Sequence, residues 1–311
     1  MRLALGTCLY GMDYGILGQK QPSSEDAVDF MEYAVHNGID AIDTAEAYGN
    51  SQEVVGRFLQ KKTVKREELF ISTKMLPNSL DDVSESDYDK IIRDHLIKSL
   101  RTLNTEYVDA YLFHSARYAF RPELIKALAK VKKEGLALKV GVSVYEPEEA
   151  KACFDSDDVD FIQLPYSIFD HRMRNANVFQ DNMEQLRKNP KNATEIHSRS
   201  AFIQGLVLAN ENDVPEFLSE VRPVLGRVRS FCSEENIDIV HLAISYVLRE
   251  KAISHLVFGA DNIEQIKQNI DCASNPLGEE YLQEVDKMFK DIPADIVMPS
   301  LWKRKSIERT N

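Results

Sequence analysis

The chain has 311 residues with 38 basic and 50 acidic side chains, a formal net charge of −12 at pH 7. This acidic balance argues against binding to nucleic acid or to an anionic membrane surface. No apolar run reaches the roughly 18 residues of a membrane span and the N-terminus has no signal-peptide pattern, so we expect a cytoplasmic protein.

The four cysteines lie far apart in the sequence and form no C-x-x-C pair: Cys8, Cys153, Cys232 and Cys272. This spacing is typical of free thiols in a reducing compartment rather than of a disulfide framework or a zinc site. We therefore expect no bound metal ion. No segment of the chain marks a protein partner.

Short apolar segments, typical of buried parallel strands, alternate with helical segments along the whole chain. The predicted strands lie at 3–7, 40–44, 69–73, 107–113, 138–143, 160–164, 194–198 and 254–258. The predicted helices lie at 25–37, 89–103, 122–134, 147–154, 175–188, 215–236, 239–250, 262–273 and 278–290. Ser24 is expected to cap the first helix, Pro122 and Pro147 to begin two others, and Gly135 to end one.

Eight successive strand–helix units predict a (β/α)8 TIM barrel. We expect one domain over 1–311, with 293–311 as a C-terminal tail in which Trp302 packs on the body. The alternative is a doubly wound open sheet, and the lack of a G-x-G-x-x-G motif after an early strand disfavours it. The segment 194–198 is the least typical strand, because it is polar.

Polar side chains stand where the second, third and fourth predicted strands end. Asp43 ends the second strand, with Tyr48 just beyond it, and Lys74 and His114 end the next two. Alone, Lys74 is explained as a barrel-edge lysine and His114 as a histidine near a turn. Together they predict an active site, because the carboxyl-terminal strand ends of a barrel form one rim.

This group has the chemistry of a proton donor to a carbonyl. A free tyrosine titrates near pH ~10, and a neighbouring ammonium lowers that pKa. We expect Lys74 to act on Tyr48 in this way, Asp43 to hold Lys74 charged, and His114 to orient the carbonyl or help transfer the proton. The group supplies no hydride, so it requires a reduced cofactor.

The chain resembles the aldo-keto reductases over nearly its whole length. The resemblance rests on motifs in matching order, which are 38–49 (GIDAIDTAEAYG), 71–74 (ISTK), 107–114 (YVDAYLFH), 140–143 (VGVS), 163–166 (QLPY), 204–206 (QGL) and 259–269 (GADNIEQIKQN). It implies a (β/α)8 barrel and the catalytic tetrad Asp43, Tyr48, Lys74 and His114, with Tyr48 as general acid. It also implies an NADP(H) or NAD(H) cofactor and a small carbonyl substrate.

The resemblance further implies the positions that contact the cofactor. Ser143 and Gln163 would bind the carboxamide, and the segment 259–269 the adenosine end, partly through a helix N-terminus that favours phosphate. The full set of expected cofactor contacts is Gly6, Thr7, Ser143, Gln163, Arg199, Gln204, Gly259, Asp261, Gln265 and Asn269.

Several positions depart from the family pattern. Val144 replaces the usual asparagine after Ser143, and Cys8 the usual tryptophan after Thr7. Arg199 stands where an aromatic residue commonly stacks on the nicotinamide, and its charge would favour the reduced ring.

The adenosine end also departs from the pattern. Asp261 stands where many relatives have a basic residue, and Gln265 where they often have arginine. A carboxylate repels a 2′-phosphate and accepts hydrogen bonds from a 2′-hydroxyl, so this site leans toward NAD(H) or dual use, although Lys267 remains as a cation in the same helix.

A reductase of aldehydes, ketones or sugar carbonyls is the function that these residues favour. Two alternatives remain, a weakly catalytic cofactor-binding regulatory subunit and a barrel isomerase or lyase acting on phosphorylated sugars. The predicted substrate loops carry Tyr10, Tyr14, Arg117, Tyr118, Phe120, Arg121, Phe169, His171 and Arg172. This mixture of aromatic and basic groups suits a polyhydroxylated or anionic carbonyl compound.

Overall fold

The computed structural model describes residues 2–190 and 193–302. Within them, eight parallel strands close into a barrel, each paired with the next in chain order and the last with the first. They are β1 Leu3–Gly6, β2 Ala41–Asp43, β3 Phe70–Met75, β4 Val108–Phe113, β5 Ala137–Ser143, β6 Phe161–Pro165, β7 Glu195–Arg199 and β8 Ile253–Phe258. The predicted (β/α)8 barrel is confirmed.

Helices alternate with these strands around the barrel. They are α1 Cys8–Gly11, α2 Ser24–His36, α3 Ser51–Lys61, α4 Tyr88–Leu103, α5 Pro122–Lys133, α6 Pro147–Phe154, α7 Arg172–Asn175, α8 Val178–Lys188, α9 Arg222–Glu234, α10 Ile239–Leu248, α11 Ile263–Ser274, α12 Glu279–Met288 and α13 Ala294–Val297. Short 3-10 turns lie at Arg66–Glu68, Glu85–Asp87, Ala116–Phe120, Leu206–Leu208, Glu211–Asp213 and Glu216–Val221.

The sequence prediction missed α3 and misplaced one cap. Helix α3 buries Val54, Val55 and Phe58, but Gly56 interrupts its sequence pattern. A Cβ atom at Gly56 would lie 2.3 Å from the carbonyl oxygen of Thr102, so the glycine allows α3 to pack closely on the end of α4. The cap of α2 is Ser23 rather than Ser24, because the Ser23 side chain accepts a hydrogen bond from the Asp26 amide.

The polar character of β7 follows from the direction of its side chains. The His197 ring lies 5.0 Å from Phe70 of β3, on a distant strand, so both project into the barrel. Side chains alternate along a strand, which sends Glu195 and Arg199 inward as well. The barrel interior therefore holds polar groups at both ends, and Phe70 and Phe161 pack against His197 at the end where β3 and β6 begin.

The described part of the predicted tail packs on the body. Trp302 is buried and its indole N–H donates to the carbonyl of Ile296, 3.1 Å away. Residues 303–311 of that predicted tail lie outside the described residues. Across the described ranges, no helix is long and apolar enough to cross a membrane.

Candidate active site

A buried ion pair joins the ends of β2 and β3. Lys74 is fully buried, and its Nζ lies 2.7 Å from both carboxylate oxygens of Asp43 and 3.0 Å from the carbonyl oxygen of Thr44. The Asp43 Oδ1 also accepts hydrogen bonds from the side chains of Ser72, at 2.7 Å, and Gln163, at 2.8 Å. A buried group stays charged only when it is paired and hydrogen-bonded, and both Lys74 and Asp43 meet this condition.

Tyr48 and His114 lie over this ion pair. The Lys74 Nζ is 5.1 Å from the centroid of the Tyr48 ring. The Tyr48 and His114 rings meet edge-on at 5.7 Å between centroids. The structure thus brings together the four residues that the sequence predicted as a catalytic group.

Two glycines fix the turn that carries Tyr48. Gly49 has φ +55°, and a Cβ atom there would lie 2.0 Å from the Gly11 carbonyl oxygen. A Cβ atom at Gly11 would lie 1.8 Å from the Tyr48 carbonyl oxygen. The amide of Asn50 donates to Gly11, at 3.2 Å. The turn therefore packs against α1 at a distance that only glycines allow.

One electrostatic expectation was wrong. Burial raises the pKa of Tyr48 well above its usual value of 10, and the Asp43 carboxylate raises it further. The net shift is opposite to the predicted lowering, because the loss of phenolate hydration on burial, together with the Asp43 charge, outweighs the attraction of the Lys74 ammonium. Tyr48 is therefore a neutral phenol at physiological pH, which is the form of a proton donor.

His114 is a neutral imidazole. Burial lowers its pKa to about 3, and the positive charges of Lys74 and Arg199 act in the same direction. Its buried Nδ1 has no hydrogen-bond partner among the described residues. At neutral pH this ring donates a hydrogen bond from one nitrogen rather than carrying a charge.

A groove of about 570 Å³ opens at the carboxyl-terminal ends of the strands. Its lining includes most of the predicted residues, namely Gly6, Thr7, Asp43, Tyr48, His114, Gln163, Arg199, Gln204, Gly259, Asp261, Gln265 and Asn269. Lys74 lies behind this surface, and Ser143 is buried and is not part of the lining.

Arg199 lies at the catalytic end of the groove. Its guanidinium carbon is 4.3 Å from the centroid of the Tyr145 ring. Its Nη2 donates to the carbonyl of Val144, at 3.0 Å, and its Nη1 to the Ser200 hydroxyl, at 3.2 Å. Among the described residues that line the groove, it is the only lysine or arginine.

The other end of the groove is formed by the start of α11. Asn262 caps this helix by accepting a hydrogen bond from the Gln265 amide, at 2.8 Å, and its side chain also donates to Asp261. The Gln265 side chain accepts from the Asp261 amide, at 3.1 Å. Lys267 is exposed and faces a different surface depression, which it shares with Asp238 and others. Lys267 therefore does not offset the Asp261 charge in the groove.

Sequence reasoning missed several lining residues, among them Tyr145 and Gln19, and overestimated the loops. Tyr145 had a signal because it lies two residues beyond the end of β5. Of the nine loop side chains expected near the substrate, Tyr14 alone belongs to the lining. Others are engaged elsewhere: Tyr118 donates to Asp81, and Arg172 pairs with Asp170.

Comparisons with known proteins identify the family of the chain. Residues 2–290 match the model of the Aldo/keto reductase family. The chain is 25% identical to D-arabinose 1-dehydrogenase of Saccharomyces cerevisiae, over 93% of this chain and 90% of that protein. It is 27% identical to an NADH-specific methylglyoxal reductase of Escherichia coli, over 78% of this chain and 81% of that protein.

A solved relative shares the fold. The holo form of an aldo-keto reductase from Bacillus halodurans superposes with a TM-score of 0.71, covering 92% of this chain and 91% of that one at 23% identity. The family match over nearly the whole chain identifies the class of enzyme. The protein belongs to the aldo/keto reductase family and is an NAD(P)-dependent oxidoreductase.

Proposed function

We propose that the protein reduces a small aldehyde, ketone or sugar carbonyl to an alcohol, with Tyr48 as the general acid. The observation that carries this proposal is the buried Lys74–Asp43 pair directly beneath the Tyr48 ring. A buried ion pair adds little to stability because desolvation offsets its Coulombic gain, which favours a catalytic role for this pair.

The groove fits a nicotinamide dinucleotide. The buried amide oxygen of Gln163 has no partner among the described residues, and it is an acceptor suited to the amide N–H of a carboxamide. The capped N-terminus of α11 and the nearby Gly259 would hold the adenosine end. Bound there, the reduced dinucleotide supplies the hydride.

The residues of this chain then supply the proton to the carbonyl oxygen. Tyr48, protonated at neutral pH, donates its hydroxyl proton to the carbonyl oxygen as negative charge develops there. Neutral His114 donates a hydrogen bond to the same oxygen and orients it. Lys74 stabilises the phenolate that remains, and Asp43 keeps Lys74 in position.

The removal of the Tyr48 hydroxyl tests this role. Tyr48→Phe keeps the ring that contacts His114 and Lys74 but leaves no proton to donate. We expect kcat/KM for methylglyoxal and for an aldose to fall by at least about a hundredfold, the usual size of a general-acid contribution. The measurement follows absorbance of the reduced nicotinamide, and unchanged cofactor binding controls for folding. Activity retained in Tyr48→Phe would rule out Tyr48 as the acid.

We further propose that the cofactor site favours NAD(H) or accepts both dinucleotides. Asp261 lines the groove at the end where the adenosine ribose would lie. A 2′-phosphate there would meet a carboxylate, since the lining supplies no lysine or arginine at that end among the described residues. The ribose 2′-hydroxyl of NADH would instead donate a hydrogen bond to Asp261.

Titration of both reduced cofactors tests this preference. We expect NADH to bind as tightly as NADPH or more tightly, and Asp261→Asn to improve NADPH binding by about tenfold because one repulsive charge is removed. Lys267→Met is the matched control and should change neither affinity. A wild-type Kd for NADPH a hundredfold below that for NADH would contradict the proposal.

In the same titrations, Arg199→Ala should reduce the preference for NADH over NAD+, since Arg199 repels the cationic ring.

A further inference from the structure

A second polar cluster lies inside the barrel, at the end opposite the groove. Glu195 and His197 project inward from β7, and His255 is the pairing partner of His197 on β8. One ligand atom from each of the three side chains lies within 4.8 Å of the others. The His197 ring packs 5.0 Å from Phe70 and 4.6 Å from Phe161, which begin β3 and β6. The cluster therefore belongs to the amino-terminal mouth of the barrel.

The two histidines each have one ring nitrogen that is buried without a partner. His197 is 1% exposed, and no described residue forms a hydrogen bond with its Nδ1 or with the Nδ1 of His255. A buried unsatisfied polar group costs about 1–3 kcal/mol, so two in one small space need an explanation. The phenylalanine rings that pack on His197, Phe70 and Phe161, offer these nitrogens no hydrogen-bond partner, and the nearest other ring is that of the second histidine, 4.6 Å away between centroids.

Carboxylates lie beside the other nitrogen of each ring. The Nε2 of His197 is 3.1 Å from Glu195 Oε1, and the Nε2 of His255 is 3.3 Å from Asp40 Oδ1. A carboxylate next to one imidazole nitrogen holds the proton there, which leaves a lone pair on the other nitrogen. Asp40, which is not among the three cluster residues, orients His255 as carboxylates orient metal-binding histidines. The contact between Glu195 and His197 is instead the one that an incoming ion would replace.

We propose that Glu195, His197 and His255 bind a divalent transition metal ion of the Zn²⁺ class at the amino-terminal mouth of the barrel. Two imidazoles and a carboxylate are ligands that zinc accepts, with solvent completing the coordination. The side chains of His255 and Glu195 are 18% and 21% exposed, which lets an ion reach them from solvent. Ligand atoms around tetrahedral zinc lie about 3.3 Å apart, so binding requires side-chain shifts of about 1 Å.

Lys139 sets the strength of this site. Its ammonium pairs with Glu195 Oε2, while the Ser254 hydroxyl donates to Oε1 at 3.0 Å. An incoming cation competes with Lys139 for the same carboxylate. Removal of the Lys139 charge should therefore tighten metal binding, an effect opposite to that expected for a general loss of structure.

Calorimetric titration of the metal-stripped full chain with Zn²⁺ tests the proposal, with Co²⁺ absorption as a second probe. We expect one ion per chain, binding at least about tenfold weaker in His255→Asn and Glu195→Gln, and tighter binding in Lys139→Gln. The thermal midpoint of the wild type should rise with Zn²⁺, and that of His255→Asn should not.

His241→Asn is the matched control, because His241 lies outside the cluster, in a surface depression with Asp238 and Cys272. It should bind Zn²⁺ as the wild type does. The proposal is overturned if the wild type binds no Zn²⁺, or if His255→Asn and Glu195→Gln both bind it with wild-type affinity. Circular dichroism of each variant separates lost ligands from lost folding. These readouts do not depend on reductase activity.

Discussion

The neutral state of His114 makes the protein sensitive to acid. Burial and two nearby cations hold its pKa at about 3, below the value of about 6.5 in an unfolded chain. Between these values the unfolded chain binds the proton and the folded protein does not, so stability falls as pH falls from 6.5 toward 3. The loss accumulates only in this window and stays constant below it.

Replacement of this imidazole should remove part of the acid sensitivity. At pH 5 the His114 contribution is up to about 2 kcal/mol relative to pH 7, at about 1.36 kcal/mol per pH unit. We expect His114→Gln to show a smaller drop in the free energy of unfolding between pH 7 and pH 5, measured by urea denaturation. His36→Gln, on the exposed end of α2, is the control. Identical pH profiles for wild type and His114→Gln would contradict the neutral assignment.

At the scale of elements, the β2–α3 turn has a tightly constrained backbone. Gly49→Ala places a Cβ atom 2.0 Å from the Gly11 carbonyl and should displace Tyr48. We expect kcat/KM to fall by about a hundredfold, since displacements of about 1 Å in an active site have effects of that size. Steady-state kinetics measures this fall in kcat/KM.

Gly18→Ala separates this clash from backbone strain. Gly18 has φ +68°, and a Cβ atom there meets no atom within 4 Å. The substitution therefore carries only the left-handed backbone cost, about 1–2 kcal/mol, and should leave kcat/KM near the wild-type value. Equal kinetic losses in the two variants would show that close packing against Gly11 is not what positions Tyr48.

Strand ends and loops differ in how well the sequence predicts their site residues. Asp43, Lys74 and His114 were predictable because parallel strands bring their carboxyl ends to one rim. Ser200 and Ile203 were not, because both have positive φ values without being glycine. Tertiary contacts hold such residues in the left-handed region, and no local pattern in the sequence reveals them.

At the scale of the molecule, one arginine reinforces the closure of the barrel made by the pairing of β1 with β8. The Arg2 guanidinium donates to the carbonyls of Leu248, at 2.8 Å, Glu250, at 2.6 Å, and Ile253, at 3.1 Å. The Leu256 amide in turn donates to the Arg2 carbonyl, at 2.9 Å. Arg2 thus ties the start of β1 to the end of α10 and the start of β8.

Arg2→Met should weaken this closure without altering the active site at the other end of the barrel. We expect the free energy of unfolding to fall by about 2–4 kcal/mol, from charge-assisted hydrogen bonds lost to partly buried carbonyls. Denaturant titration measures the loss, and kcat/KM should stay within about twofold of the wild type at temperatures where the protein is folded. Arg93→Met, which removes an exposed ion pair with Glu134, should have little effect. If Arg2→Met unfolds at the same denaturant concentration as the wild type, then strand pairing alone closes the barrel.

The polar face of β7 was the least typical strand in the sequence, and the whole barrel explains it. Glu195, His197 and Arg199 alternate along one inward face, while His255 lies some sixty positions further on. Because of that separation, no local pattern in the sequence predicts the histidine cluster. Only the pairing of β7 with β8 reveals it.

Because every second side chain of β7 faces inward, the residues that β7 contributes to the two ends of the barrel depend on one strand register. Insertion or deletion of one residue between His197 and Arg199 would reverse the facing of the residues on one side of the change, so that the two side chains could no longer both point inward. Substitutions can change either end without this effect on the other. We therefore expect related chains that keep Arg199 in the groove to keep the length of β7, even where the identities of residues 195 and 197 have diverged.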